Sequence, residues 1–132
     1  MDPDNYEDIL VKFPKLKICF AHMGFDSAKK LNNLTWFTRI LALMKMYPNV
    51  YMDVSYTASY ENFCPWFIAQ YNAWSPDIQD RVIFGTDFYM TVQEVNGNDN
   101  EVLDSLLMGL GEVYLRNWLI EMLLITLIDV VK

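Results

Sequence analysis

Apolar and β-branched residues gather in three short runs that begin near Ile18, Val50 and Val82, two equal steps of 32 residues. Between the runs the pattern changes from a strand period to a helical one. Trp36, Phe37, Ile40, Leu41 and Met44 fall on one face of a helix. Trp66, Phe67, Ile68 and Tyr71 mark a second helix, with Pro65 placed as its first residue. Val102, Leu103, Leu106, Leu107 and Leu110 mark a third, opened by the cap pair Asn98 and Glu101 and closed at Gly111. A further helix is expected at the start, around Asn5–Phe13. Pro14, Pro48 and Pro76 stand at the joints, where a residue that cannot continue a helix marks the stop before the next strand. Phe13-Pro14-Lys15-Leu16 and Tyr47-Pro48-Asn49-Val50 echo each other and predict one turn geometry used twice.

Strand and helix alternating at this interval predict βαβ units and a parallel sheet, hence an α/β fold. Two architectures fit: a slice of an eight-fold (β/α) barrel, or a small doubly wound sheet. A whole barrel needs about 250 residues. Three βα units and an opening helix make less than half of one.

Composition narrows the function classes. The chain has 132 residues, 53% of them apolar, enough for one core, and a net charge of −7. No cluster of Lys or Arg is present, so nucleic acid is not an expected partner. The two cysteines, Cys19 and Cys64, make no disulfide framework, and the acidic start lacks a secretion signal. The apolar tail from Trp118 to Val131 is interrupted by Glu121 and Asp129, so its uncharged stretch falls short of the ~20 residues of a spanning helix. A cytoplasmic protein with no membrane partner is expected. The aromatic share of 15% is high, and Trp36, Trp66, Trp74 and Trp118 all need partners. That excess predicts apolar surface turned toward other chain.

Candidate chemistry lies where the strands should end, the place α/β sheets build their sites. Ala21-His22-Met23-Gly24 closes the first run and Phe84-Gly85-Thr86-Asp87-Phe88 closes the third. Strand alternation puts His22 on the face of Ile18 and Phe20, with Cys19 and Ala21 opposite, so Cys19-x-x-His22 is not expected to chelate one metal. It puts Asp87 with Ile83 and Gly85, and Asp53 with Tyr51 and Ser55. If those faces point into a barrel, His22 and Asp87 meet at its mouth with Asp53 on the strand between. His22 is the only histidine; alone it reads equally as a hydrogen-bonded structural residue, and Asp87 alone as a helix cap or turn acceptor.

Three segments then carry a resemblance. The run from Phe13 to Gly24, ending Ala21-His22-Met23-Gly24, resembles the sixth strand of the amidohydrolase-related metal-dependent hydrolases and decarboxylases. Tyr47-Pro48-Asn49-Val50-Tyr51-Met52-Asp53 is similar to their seventh strand, and Arg81-Val82-Ile83-Phe84-Gly85-Thr86-Asp87-Phe88 to their eighth. Order and spacing agree over about residues 5–112. The resemblance implies a partial (β/α)8 TIM barrel, the last three βα units plus a terminal helix, making residues 1–132 one carboxyl-terminal portion with an atypical end at 122–132. It also implies that Asp87 binds a divalent metal, most often zinc, or takes a proton from metal-bound water. His22 would be the acid, base or substrate polariser beside it. Zinc chemistry of this kind rests on a bound water whose pKa falls to about 7.

The chain also departs from the family pattern. No His-x-His pair and no fifth-strand His occur in it, and one Asp and one His do not make the three protein ligands of a catalytic zinc. Tyr89 stands where family members often have Pro. The end after Glu121 predicts a frame change or a recombined terminus. Three readings follow. The first is a segment of a metal-dependent hydrolase acting on a small carboxylated or acyl substrate, or a non-oxidative decarboxylase of the same family. The second is a catalytically inert half-barrel that pairs with a second copy or with a missing first half. The third is a doubly wound binding module with Asp53 or Asp87 at its switch point.

Overall fold

The computed structural model describes residues 2–25, 34–55, 57, 62–85 and 108. Apart from Met108, which is helical and exposed, the helix expected at 98–111 lies outside the described residues, as do the tail from Trp118 and the acid Asp87. Within them the chain runs from a 3-10 turn, Pro3–Tyr6, into helix α1 (Glu7–Lys12) and strand β1 (Ile18–Phe20). Helix α2 (Thr35–Met46), strand β2 (Val50–Asp53), helix α3 (Phe63–Ala73), the one-turn helix α4 (Pro76–Gln79) and strand β3 (Val82–Ile83) follow.

The three strands form one parallel sheet in the order β1-β2-β3. Ile18 pairs with Val50 and Met52 with Val82. The order is sequential, with no switch point among the described strands. The mixed α/β arrangement is compatible with part of an α/β barrel.

Alternation sorts β2 cleanly. Val50 and Met52 are buried, while Tyr51 and Asp53 are only partly covered. Phe20 and Val82 join the buried set, and so do Phe37, Ile40, Leu43 and Met44 of α2 and Phe63, Phe67 and Tyr71 of α3. These helical residues recur at three- and four-residue steps, one stripe per helix laid on the sheet. The core therefore lies on the face of Val50 and Met52. The register puts Cys19 beside Tyr51, so Cys19, Tyr51 and Asp53 share the opposite face.

The turns follow their prolines. The amide of Leu16 donates to the carbonyl of Phe13 at 3.0 Å, and that of Val50 to Tyr47 at 3.2 Å. Each is a four-residue turn with Pro second, the same turn twice, as the sequence echo predicts. Asn49 ties the two together, its Nδ2 donating to the Pro14 carbonyl at 2.6 Å. Pro76 behaves differently from expectation. It is the first residue of α4 rather than a bare stop, because its fixed φ suits a first helical turn that needs no N–H from it. Pro65 is the third residue of α3, not the first; Asn62, left-handed at φ 61°, redirects the chain so that the helix starts at Phe63. The first-turn N–H it lacks has no helical partner in any case.

Aromatic residues largely satisfy one another. Trp66 meets Phe37 edge-on at 5.2 Å and Phe25 at 5.5 Å, and Trp74 packs on Phe67 and Tyr71, both at 6.1 Å. Trp66 and Trp74 thus find their partners within the chain. Trp36, by contrast, is partly exposed.

Arg81 fastens the amino ends of β2 and β3. Its residue is only 6% exposed. Nη1 donates to the carbonyls of Tyr47 and Val50, both at 3.0 Å, Nε to the Asp77 carbonyl at 3.0 Å, and Nη2 to the Asp77 carboxylate at 2.7 Å.

Candidate active site at the carboxyl ends of the strands

β1 stops at Phe20, and the next residues leave strand geometry altogether. His22 has φ 57°, Met23 φ 51° and Gly24 φ 75°, three successive left-handed residues. For an L-residue this conformation costs about 1–2 kcal/mol. The cost is offset locally: Met23 is wholly buried, and the Phe25 amide donates to the His22 carbonyl at 2.9 Å. The strand alternation that placed His22 on the face of Ile18 and Phe20 therefore does not reach it. The turn takes it instead to the end of β2.

Gly24 is required in this turn. A Cβ there would stand 2.6 Å from Ile40 Cδ1 and 3.1 Å from Trp36 Cβ, and φ is positive. Gly24→Ala is expected to lower stability by about 2–3 kcal/mol, adding left-handed strain to overpacking. Urea midpoints measure this, and an unchanged midpoint would contradict the turn.

Four groups converge on Asp53. Its Oδ1 accepts from the His22 amide at 2.9 Å, from the Ser55 amide at 3.1 Å, and from the Ser55 hydroxyl. The Cys19 Sγ–H donates to Oδ2 at 3.9 Å. The His22 ring turns its Nδ1 to Ser55, 3.0 Å from the carbonyl and 3.2 Å from Oγ. Both Cys19 and His22 thus touch Asp53, although alternation set them on opposite faces. A cavity of about 420 Å³ opens beside them, lined in part by Tyr6, Phe20, His22, Gly24, Trp36 and Ile40.

The third strand reaches the same place. A Cβ on Gly85 would lie 3.1 Å from Ser55 Cβ, so the absence of a side chain lets the end of β3 close on Ser55. Asp87 follows two residues later. The sequence singled out His22, Asp53 and Asp87; Ser55 entered only as a residue on the face of Asp53. Its signal was the spacing Asp-x-Ser after a strand, since Asp side chains often accept from the amide two residues on.

Cys19 is no thiolate here. Loss of water around the sulfur first, then the charge and the hydrogen bond of Asp53, push its pKa up from 9.0 to about 12. The folded state therefore favours the thiol. That preference adds stability below pH 9 and is lost as pH rises toward 12. Alkylation of Cys19 by iodoacetamide, followed by mass spectrometry, is expected to be slow at neutral pH and to accelerate only well above pH 9. Asp53→Asn should move that rise to lower pH; fast labelling of the folded chain at pH 7 would contradict the assignment.

Comparison with known proteins now adds one finding. A family model described as amidohydrolase matches residues 1–111. The chain belongs to the amidohydrolase family. No curated protein and no solved structure matches it. Amidohydrolases are typically TIM barrels, and the three-strand parallel sheet agrees with part of one. Membership supports hydrolase- or decarboxylase-type chemistry. Divalent metals are common in the family, yet among the described residues no three His, Cys, Asp or Glu gather to hold an ion. No helix among them is long and apolar enough to cross a membrane.

Proposed function

We propose that this chain supplies the late βα units of an amidohydrolase-type (β/α)8 barrel, and with them the proton-handling side of a hydrolase site for a small carboxylated or acyl substrate. One observation carries the reading: His22, Asp53 and Ser55 meet where β1 and β2 end, and Gly85, just past β3, closes on Ser55. Carboxyl ends of parallel strands are where such barrels place their chemistry. In this reading His22 is the acid, base or substrate polariser, and Asp87 is the carboxylate that takes the second proton or holds a metal.

The described residues do not form a metal site on their own. Asp53 Oδ1 is committed to three donors and Cys19 is held as a thiol. Asp87 is the single ligand assigned to this chain for the expected zinc. Other ligands must come from outside the described residues or from a partner.

One observation favours assembly. Among the described residues the core lies on one face of the sheet, and Cys19, Tyr51 and Asp53 on the other are exposed or half-covered. Parallel sheets are normally covered on both faces. A second copy or a first-half chain in a cytoplasmic complex is the partner this face fits.

The test is turnover by the protein in the assembly it forms on expression, with zinc supplied, against small esters, lactones and aromatic carboxylates. Hydrolysis in the first two supports the reading. Release of carbon dioxide from the third transfers it to decarboxylation, and a folded assembly inert toward all of them overturns it.

A further inference from the structure

The hydrogen bonds around His22 fix which ring nitrogen carries the proton. A carbonyl oxygen only accepts, so the 3.0 Å contact between Nδ1 and the Ser55 carbonyl requires a hydrogen on Nδ1. Ser55 Oγ has a single proton, and it is donated to Asp53 Oδ1. Facing Nδ1 at 3.2 Å, that oxygen therefore accepts as well. A neutral imidazole has one N–H, which leaves the lone pair on Nε2.

Asp53 governs both halves of this arrangement. Its Oδ1 holds the His22 amide at 2.9 Å, anchoring the left-handed turn, and it orients Ser55 through the amide at 3.1 Å and the hydroxyl. We infer that Asp53 is a positioning residue which, acting through Ser55, locks neutral His22 in the Nδ1–H form and makes Nε2 the nitrogen that accepts or returns the proton. The inference rests on the reading of His22 as the proton carrier, but its physical content is independent of any turnover. Partners on the far nitrogen commonly set the tautomer of a working histidine in this way.

Because His22 is the only histidine, the side-chain ¹⁵N spectrum of the uniformly labelled chain reports one imidazole. At a pH where the ring is neutral, the wild type should show the hydrogen on Nδ1 rather than on Nε2, by about tenfold for one extra hydrogen bond of ordinary strength. Asp53→Ala should return the ring to the Nε2–H majority of an unconstrained histidine. Asp53→Asn, whose Oδ1 still accepts from the His22 amide, should restore most of the Nδ1–H preference. Ser55→Ala, which keeps the carbonyl but cuts the relay, should reduce it by a few-fold.

A wild-type spectrum dominated by Nε2–H would overturn the inference. So would a folded Asp53→Ala chain with the preference intact. If Asp53→Ala does not fold, Ser55→Ala decides, and an unchanged tautomer ratio there overturns the relay. An inert assembly with the expected spectra would remove the functional reading and leave the tautomer lock standing.

Discussion

Replacing His22 with Asn will lower the turnover number of the assembled protein by about two to four orders of magnitude, the usual contribution of a positioned acid or base. Asn is the informative substitute because it tolerates a left-handed backbone better than other L-residues, and His22 sits at φ 57°. The turn, its amide bond to Asp53 and the buried Met23 should all survive. The thermal midpoint is then expected to move little while activity collapses. His22→Ala adds the cost of a left-handed alanine and confuses the two effects. Asp87→Asn should cause a similar loss of turnover. A large drop in stability for His22→Asn with turnover retained would make His22 a structural residue.

Arg81→Ala is expected to reduce stability by about 3 kcal/mol, because it strips donors from three carbonyls and a carboxylate at once. The carbonyls of Tyr47 and Val50 lie at the entry of β2, and Asp77 on α4. Arg81 is buried, so water does not simply replace it. The Asp77 carboxylate is largely exposed and contributes the least of the four. Arg81→Lys should recover only part of the loss, since one ammonium cannot span a strand entry and a helix turn as a planar fork does. Urea midpoints for the two variants measure this. Domains of this kind are stable by about 5–15 kcal/mol in total, so the effect will be plain. A loss below about 1 kcal/mol for alanine would contradict the clamp. Arg81 lies at the amino ends of the strands, away from the site, so its variants should change stability rather than the chemistry of the folded protein.

The parts of the fold that were legible depend on repeated local signals. β1, β2, β3, α2 and α3 follow from apolar periodicity, and the turns at Pro14 and Pro48 from the fixed φ of proline. Where sequence reasoning missed, a tertiary contact decided. Nothing in Ala21-His22-Met23 signals two left-handed non-glycine residues; only Gly24 hints at positive φ, and the acceptor that holds the turn is Asp53, on another strand. Extending alternation two residues past Phe20 therefore misplaced His22, although its position at the strand end was right. Pro76 cannot continue a helix and so signals a stop, yet its fixed φ equally suits a first helical turn, and Ser75-Pro76 opens α4. Burial of Arg81 was invisible, since charged residues are rarely buried and its partners are backbone carbonyls that any sequence provides.

The two strand-end motifs are expected to serve one site at the carboxyl ends of the strands. A spin label on Asp87→Cys, in a chain carrying Cys19→Ser and Cys64→Ser, measures this directly through line broadening. The ring signals of His22 should vanish while the Arg81 Nε–H signal, at the opposite end of the sheet, persists. Preserved His22 signals with Arg81 broadened instead would place Asp87 at the wrong end and contradict the shared site.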